Sequence, residues 1–164
     1  MELQVRLATV ADAEAIRAIY NLEVLTSTVT FDLVPRTLAE QQSWLVDRNG
    51  AHAVLVAEGA DGTIRGFASL SPFRERPAYS TTVEDSVYVD RDHQGAGVGR
   101  ALLTALVETA TNHGFHTVIA RIVGGHDASI ALHASCGFEV VGTEREVGRK
   151  HRRWLDVVVM QRML

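Results

Sequence analysis

The chain has a single cysteine, Cys136, among 164 residues. No intrachain disulfide can form, so nothing in the sequence calls for an oxidising compartment, and reducing cytoplasm is the expected setting. No apolar run approaches the roughly 18 residues needed to cross a bilayer. The segment Met1 to Arg6 lacks the apolar stretch after a basic start that marks a secretory leader. Membrane insertion and export are therefore not expected. Basic residues are not in surplus: 16 Lys and Arg face 20 Asp and Glu, for a net charge of −4. A nucleic-acid binder usually shows the opposite balance, and the one basic run is Arg149-Lys150-His151-Arg152-Arg153. Repeats, low-complexity tracts and linkers are also missing. With 46% apolar and 22% charged residues, the composition is that of a globular protein, and the length suits one domain over residues 1–164.

Seven histidines raise the question of a metal. None forms a His-x-x-x-His pair with a suitable acidic partner. His113 and His116 flank a helix end, and Cys136 has no second thiol, so no metal site is expected.

Periodicity gives the elements. Leu3 to Ala8 alternates apolar and polar residues and reads as a strand. Thr9-Val-Ala-Asp12 has capping-box spacing, followed by Ile16, Ile19, Tyr20 and Leu22 near helical spacing. Residues 26–35 read as a loop. Thr37-Leu-Ala-Glu40 opens a second helix bearing Trp44 and Leu45. Strands over 51–58 and 63–70 are joined by a turn ending in Asp61-Gly62, which makes them a hairpin. Residues 71–80 form a loop with two prolines and two arginines, and 82–90 is strongly β-prone. A helix from Gly99 or Arg100 to His113 aligns Leu103, Leu106, Val107 and Ala110, with Gly114 as its stop. A strand over 116–123, a helix over 127–136 and strands over 138–143 and 154–161 complete the chain. The order predicts an α+β (mixed α/β) fold: one central, largely antiparallel twisted sheet with helices on both faces.

The segment Tyr88-Val-Asp-Arg-Asp-His-Gln94-Gly95-Ala96-Gly97-Val98-Gly99-Arg100 carries the chemistry. A strand runs into a glycine-rich turn that opens a helix. Glycines let a ligand approach the backbone, and free amides at a helix start favour an anion. The spacing Gly-x-Gly-x-Gly lies past mid-chain and is wrong for a dinucleotide fingerprint. Arg100 followed by Ala101 is wrong for a P-loop. A simple tight turn with a helix cap is the structural alternative.

Gln94-Gly95-Ala96-Gly97-Val98-Gly99 resembles the Gln/Arg-x-x-Gly-x-Gly/Ala motif of the GNAT acetyltransferases. Thr82-Val-Glu-Asp-Ser-Val-Tyr-Val89, Ser129-Ile-Ala-Leu-His133, Cys136-Gly-Phe138 and Arg153-Trp-Leu-Asp156 resemble its phosphinothricin and methionine sulfone/sulfoximine branch. Tyr20-Asn21 fits as well. The resemblance spans nearly the whole chain and implies the GNAT fold. It also implies acetyl-CoA as co-substrate, its diphosphate on the amides of residues 95–100 and its pantetheine arm along Val87, Tyr88 and Val89. The strand over 82–89 is then splayed or bulged, and one of its N–H groups faces the acetyl carbonyl, where a single donor is worth ~3 kcal/mol to an oxyanion. Ser129 is expected at the cofactor. His126 stands where the family usually has an asparagine that contacts the arm. Catalysis without a metal, on a small-molecule amine, in a homodimer, is what the branch implies.

Strand alternation puts Glu84 with Ser86 and Tyr88 on one face and Asp85 on the other. An ammonium must lose a proton before it attacks a thioester, so a carboxylate base is needed. Glu84 is the leading candidate and Asp85 the second. His133 stands where relatives often carry a tyrosine near the leaving sulfur, and a departing thiolate benefits from such a donor. Arg74, Glu75 and Arg76 fall in the substrate loop of the branch, where a guanidinium grips oxidised or anionic heads with paired donors. Ser86, Lys150 and Trp154 complete the expected substrate pocket, the last two across a dimer. Two other readings remain: acetylation of a protein N-terminus or lysine, and a non-catalytic acyl-CoA-binding module.

Overall fold

A computed structural model describes residues 2–48 and 50–164. Seven strands form one sheet: β1 Leu3–Leu7, β2 Val54–Gly59, β3 Ile64–Pro72, β4 Thr82–Val89, β5 Thr117–Val123, β6 Glu139–Lys150 and β7 Arg153–Met163. Their spatial order is β1-β2-β3-β4-β5-β7-β6. Four α-helices flank them, α1 Ala13–Thr26, α2 Leu38–Val46, α3 Val98–Asn112 and α4 Asp127–Ser135. The alternation of the strands feeds two cores. Val56 and Phe67 pack with Ile16, Ile19, Tyr20 and Val24 of α1. Leu55, Ala68, Leu70, Val83, Val118 and Ala120 pack with Leu102, Leu103 and Leu106 of α3 on the other face. These three leucines are fully buried, and each contributes about 1.5–3 kcal/mol.

One pairing positions the site. β4 and β5 are parallel and in register only over Thr82↔Thr117, Val83↔Val118 and Glu84↔Ile119. Beyond Glu84 the two strands diverge. β4 stays on β3 as far as Gly66↔Val89, while β5 stays on β7 as far as Val123↔Val157. The strand is therefore splayed and not bulged, since the β3–β4 ladder runs without a register shift.

Three boundaries differ from the sequence reading. α3 starts at Val98, ahead of the expected Gly99 or Arg100, because Gly97 at φ +82° has already turned the chain and acts as N-cap. β2 starts at Val54, not Ala51. β6 continues to Lys150, well beyond residue 143, through register shifts at Val140/Gly142 and Glu144/Gly148. Those irregularities and the charges along 144–150 break the period-two pattern. The turn to β7 is made by His151 and Arg152 at φ 50° and 61°. The usual glycine or asparagine of such hairpin turns is missing there.

Gly66 lies beneath the start of α3. A Cβ there would come within 2.8 Å of the Tyr88 carbonyl oxygen, 3.0 Å of Leu102 Cδ1 and 3.2 Å of Val98 Cγ1. Gly66→Val is expected to cost about 1–3 kcal/mol by overpacking. Thermal denaturation checks this, and a midpoint equal to wild type would refute the close packing of α3 on β3.

Candidate active site

The glycine turn leaves a helix end open to solvent and to ligands. Gly95 and Gly97 have φ of +74° and +82°, and no atom lies within 4 Å of where either Cβ would be. No side chain caps α3, and its first backbone bond runs from Ala101 N–H to the Gly97 carbonyl. The preceding amides have no intrahelical acceptor. Together with the helix dipole they form an anion cradle.

A pocket lined by Gln94, Gly95, Gly97, Val98, Gly99, Arg100, Val87, Val89, His126 and Ser129 surrounds this cradle. It merges with a second, lined by Glu23, Val29, Asp85, Ser86, Val87, Tyr88, Arg121, His126 and His133, in the gap between β4 and β5. The two share Val87, Val89, Gln94, His126 and Ser129, so they adjoin and form one channel from the glycine turn to the gap between β4 and β5. Alternate N–H and C=O groups of β4 beyond Glu84 have no β5 partner and face this channel. Burial pulls the His126 imidazole down, partly offset by Glu23. His126 is therefore a neutral ring able to donate or accept.

His133 and Asp85 meet at the floor of the cleft. His133 Nε2 is 2.8 Å from Asp85 Oδ2, and Nδ1 is 2.8 Å from the Ser129 carbonyl oxygen. A carbonyl only accepts, so Nδ1 carries a proton. A second proton must then lie between Nε2 and the carboxylate. The pair shares this proton in a site where the side-chain exposures are only 5% and 2%. Burial opposes the charge on His133, but the hydrogen bond and charge of Asp85 and the Ser129 carbonyl outweigh it and raise the imidazole above its ordinary value.

Glu84 lies on the opposite face of β4. Burial pushes its carboxyl above the ordinary value; Arg121 draws it partly back, and Asp85 adds to the rise. Arg121 Nε is 3.7 Å from Glu84 Oε1, while its Nη2 is 2.5 Å from Glu144 Oε1. Glu84 is the last β4 residue paired with β5 and is absent from the lining of the cleft; its raised carboxyl has the protonation behaviour a general base needs.

Glu23 and Arg121 line the cleft but have no part in the sequence reading. Glu23 was visible as a carboxylate within the apolar stripe of α1. Arg121 was visible as the one charge inside the run Thr117 to Val123. Glu23 accepts from Arg91 Nε at 2.8 Å and from Ser27 Oγ at 2.6 Å. Against the effect of burial, these bonds hold it below its usual value.

Loop 27–36 is latched beside the cleft, with Val29 in the cleft wall. Asn21 bonds both the N–H and the carbonyl of Arg36 at 2.9 Å. Tyr20 bonds Thr30, and Lys150 Nζ donates to the Thr30 carbonyl at 2.9 Å. Lys150 is thus buried as a strut within its own chain, and Trp154 is 60% exposed with Arg149 stacked on it. Neither lines the cleft. Arg74 stacks on Phe73 and Tyr79 and shares a shallow hollow with Glu75 and Arg76, apart from the cleft lining. Among the described residues no group of His, Cys, Asp or Glu is arranged to hold a metal, and no helix is long and apolar enough to cross a membrane.

The proton count at His133 is testable. Ring ¹⁵N NMR is expected to show His133 titrating above the free-histidine value of about 6.5, and Asp85→Asn is expected to lower that midpoint. A wild-type ring titrating below free histidine would contradict the ion pair.

Residues 5–159 match the family model described as Acetyltransferase (GNAT) domain. An L-methionine sulfoximine/L-methionine sulfone acetyltransferase of Pseudomonas aeruginosa is 42% identical over 162 residues, 98% of this chain and 94% of the relative. The structure of a GNAT superfamily phosphinothricin acetyltransferase from Sinorhizobium meliloti in complex with AcCoA superimposes with TM-score 0.95 at 41% identity, covering 100% of this chain and 89% of that one. A ribosomal-protein-alanine N-acetyltransferase from Brucella melitensis reaches TM-score 0.95 at 42% identity, covering 98% and 99%. With its splayed β4–β5 pair and open glycine turn, the chain belongs to the GNAT acetyltransferase family.

Proposed function

We propose that this chain, as one domain over residues 1–164, transfers an acetyl group directly from acetyl-CoA to the amine of a small L-amino-acid-like substrate. The substrate class is that of methionine sulfone, methionine sulfoximine and phosphinothricin. The observation that carries the reading is the cleft itself. His133 and Asp85, 2.8 Å apart, are in its lining, and Glu84 lies on the other face of β4 at the last residue paired with β5. Acetyl-CoA supplies an activated acyl group and a thiolate that departs. Glu84, through water, takes the proton of the ammonium. His133, kept charged by Asp85, is assigned as the proton source for the thiolate, a transfer that requires one of its two ring protons to leave the Ser129 carbonyl or Asp85. Cys136 is buried at the C-terminal end of α4, consistent with transfer that bypasses an acetyl-enzyme.

The latched loop 27–36 favours a small substrate over an extended peptide. The name of the Brucella melitensis neighbour supports the second reading, acetylation of a protein N-terminus. A purely acyl-CoA-binding module would need neither Glu84 nor the His133–Asp85 pair. We assign the oxidised or anionic head to Arg74 and Arg76 on the branch resemblance and their exposed donors, although both lie apart from the cleft lining. We assign the chain to the cytoplasm, which its lone buried thiol fits. We further infer a homodimer through the β6–β7 edge, where Val140, Val141 and Val147 are 58%, 62% and 56% exposed beside Trp154.

Thiol release from acetyl-CoA with a panel of amines tests the assignment. The three named compounds are expected to be acetylated, and Glu84→Gln is expected to lower kcat by ~10²-fold with them. A protein that ignores all three and acetylates a peptide N-terminus efficiently would sink the small-molecule reading. An unchanged rate in Glu84→Gln across pH would remove Glu84 as base.

A further inference from the structure

Arg121 and Glu144 form an ion pair beside Glu84 that the catalytic assignments leave unused. Arg121 projects from β5 on the Glu84 face of the sheet, since its neighbours Ala120 and Ile122 pack into the α3 core. Its Nη2 is held at 2.5 Å by Glu144 of β6, while its Nε stays 3.7 Å from Glu84, beyond hydrogen-bond range. Glu144 is in register with Val157, between the shifts at Val140/Gly142 and Glu144/Gly148. The earlier shift, at Val140/Gly142, puts Glu144 on the same face as Arg121, whose β7 partner is Val159. The charged and titratable groups acting on Glu84 are Arg121 from β5 and Glu144 behind it from β6 on its own face, and Asp85 from the other face of β4. From β3 the register partner is Ser71, which is uncharged and accepts from Arg48 Nη2.

We propose that Arg121 and Glu144 are positioning residues that set the protonation range of Glu84, with Glu144 drawing Arg121 off the base and leaving the carboxylate free to take a proton. The proposal rests on Glu84 as the base. The signs follow from charge alone. Arg121 favours the ionised carboxylate, so removing it makes Glu84 protonate at higher pH. Glu144 competes for Arg121 and adds its own negative charge. Removing it turns the full guanidinium charge onto Glu84, which then protonates at lower pH. An opposite charge within 4–6 Å typically lowers a carboxyl by 1–3 pH units. The 3.7 Å contact, already shared with Glu144, belongs near the bottom of that range.

The test is a carboxyl ¹³C NMR titration of Glu84, alongside the pH profile of kcat/KM. In Arg121→Gln the Glu84 midpoint and the acid limb of the profile are expected to rise together by about one pH unit. In Glu144→Gln both are expected to fall. In the double variant the Glu144 effect should largely vanish, because it acts mainly through Arg121. Arg121→Lys, which keeps the charge, should stay closer to wild type than Arg121→Gln. Midpoints unmoved in both single variants, or moved in the same direction, overturn the proposal. Glu84→Gln separates this from the base assignment. Loss of the acid limb there confirms that the limb belongs to Glu84. A limb that persists refutes Glu84 as base, while the carboxyl titration still decides what Arg121 and Glu144 do to it.

Discussion

The parallel contact between β4 and β5 ends at Glu84↔Ile119, and the rest of the site depends on that early end. A parallel pair that ran its full length would satisfy its backbone groups internally and close the sheet. Here each strand keeps its outer partner, β3 or β7, and yields only the inner ladder. The gap is therefore rigidly walled and lined with backbone donors and acceptors. The glycine turn and the uncapped start of α3 lie directly beyond the end of β4. One break in pairing thus brings together an anion cradle, a channel and two sets of ionisable groups.

Those groups are separated by the pleat. Adjacent residues of β4 face opposite ways, so Glu84 and Asp85 have different neighbours although they are consecutive. Asp85 faces His133 in a buried ion pair. Glu84 faces Arg121, which is shared with Glu144. Breaking a buried pair by removing one partner usually costs far more than breaking an exposed one. The His133–Asp85 pair is accordingly built to stay fixed, while the half-exposed Glu84–Arg121–Glu144 set can adjust. Arg91 and Glu23 tie the approach to the glycine turn to α1, and α1 carries the latched loop beside the cleft. The two ends of the channel are mechanically joined in this way.

Much of this was legible in the sequence because it rests on local signals. The glycine turn, the Thr37–Glu40 cap and the Asp61-Gly62 hairpin each follow from residues a few positions apart. The apolar stripe of α3 and the opposite facing of Glu84 and Asp85 follow from periodicity. What stayed hidden needs tertiary contact. Glu144 gains its role from a bulged edge strand whose charges mask the alternation. Arg121 reads as an ordinary exposed strand residue until β6 is placed next to β7. Lys150 carries the same charge in either reading, but its burial against the Thr30 carbonyl cannot be seen without the 27–36 loop in place.

The central claim is that one cleft holds both substrates at once and passes the acetyl group straight between them. Initial rates measured over a grid of acetyl-CoA and amine concentrations test it most directly, with intact-mass analysis of the protein during turnover. Intersecting double-reciprocal lines and a protein of unmodified mass are the predicted result. Parallel lines, together with an acetyl group trapped on Cys136 or any other side chain, would contradict it.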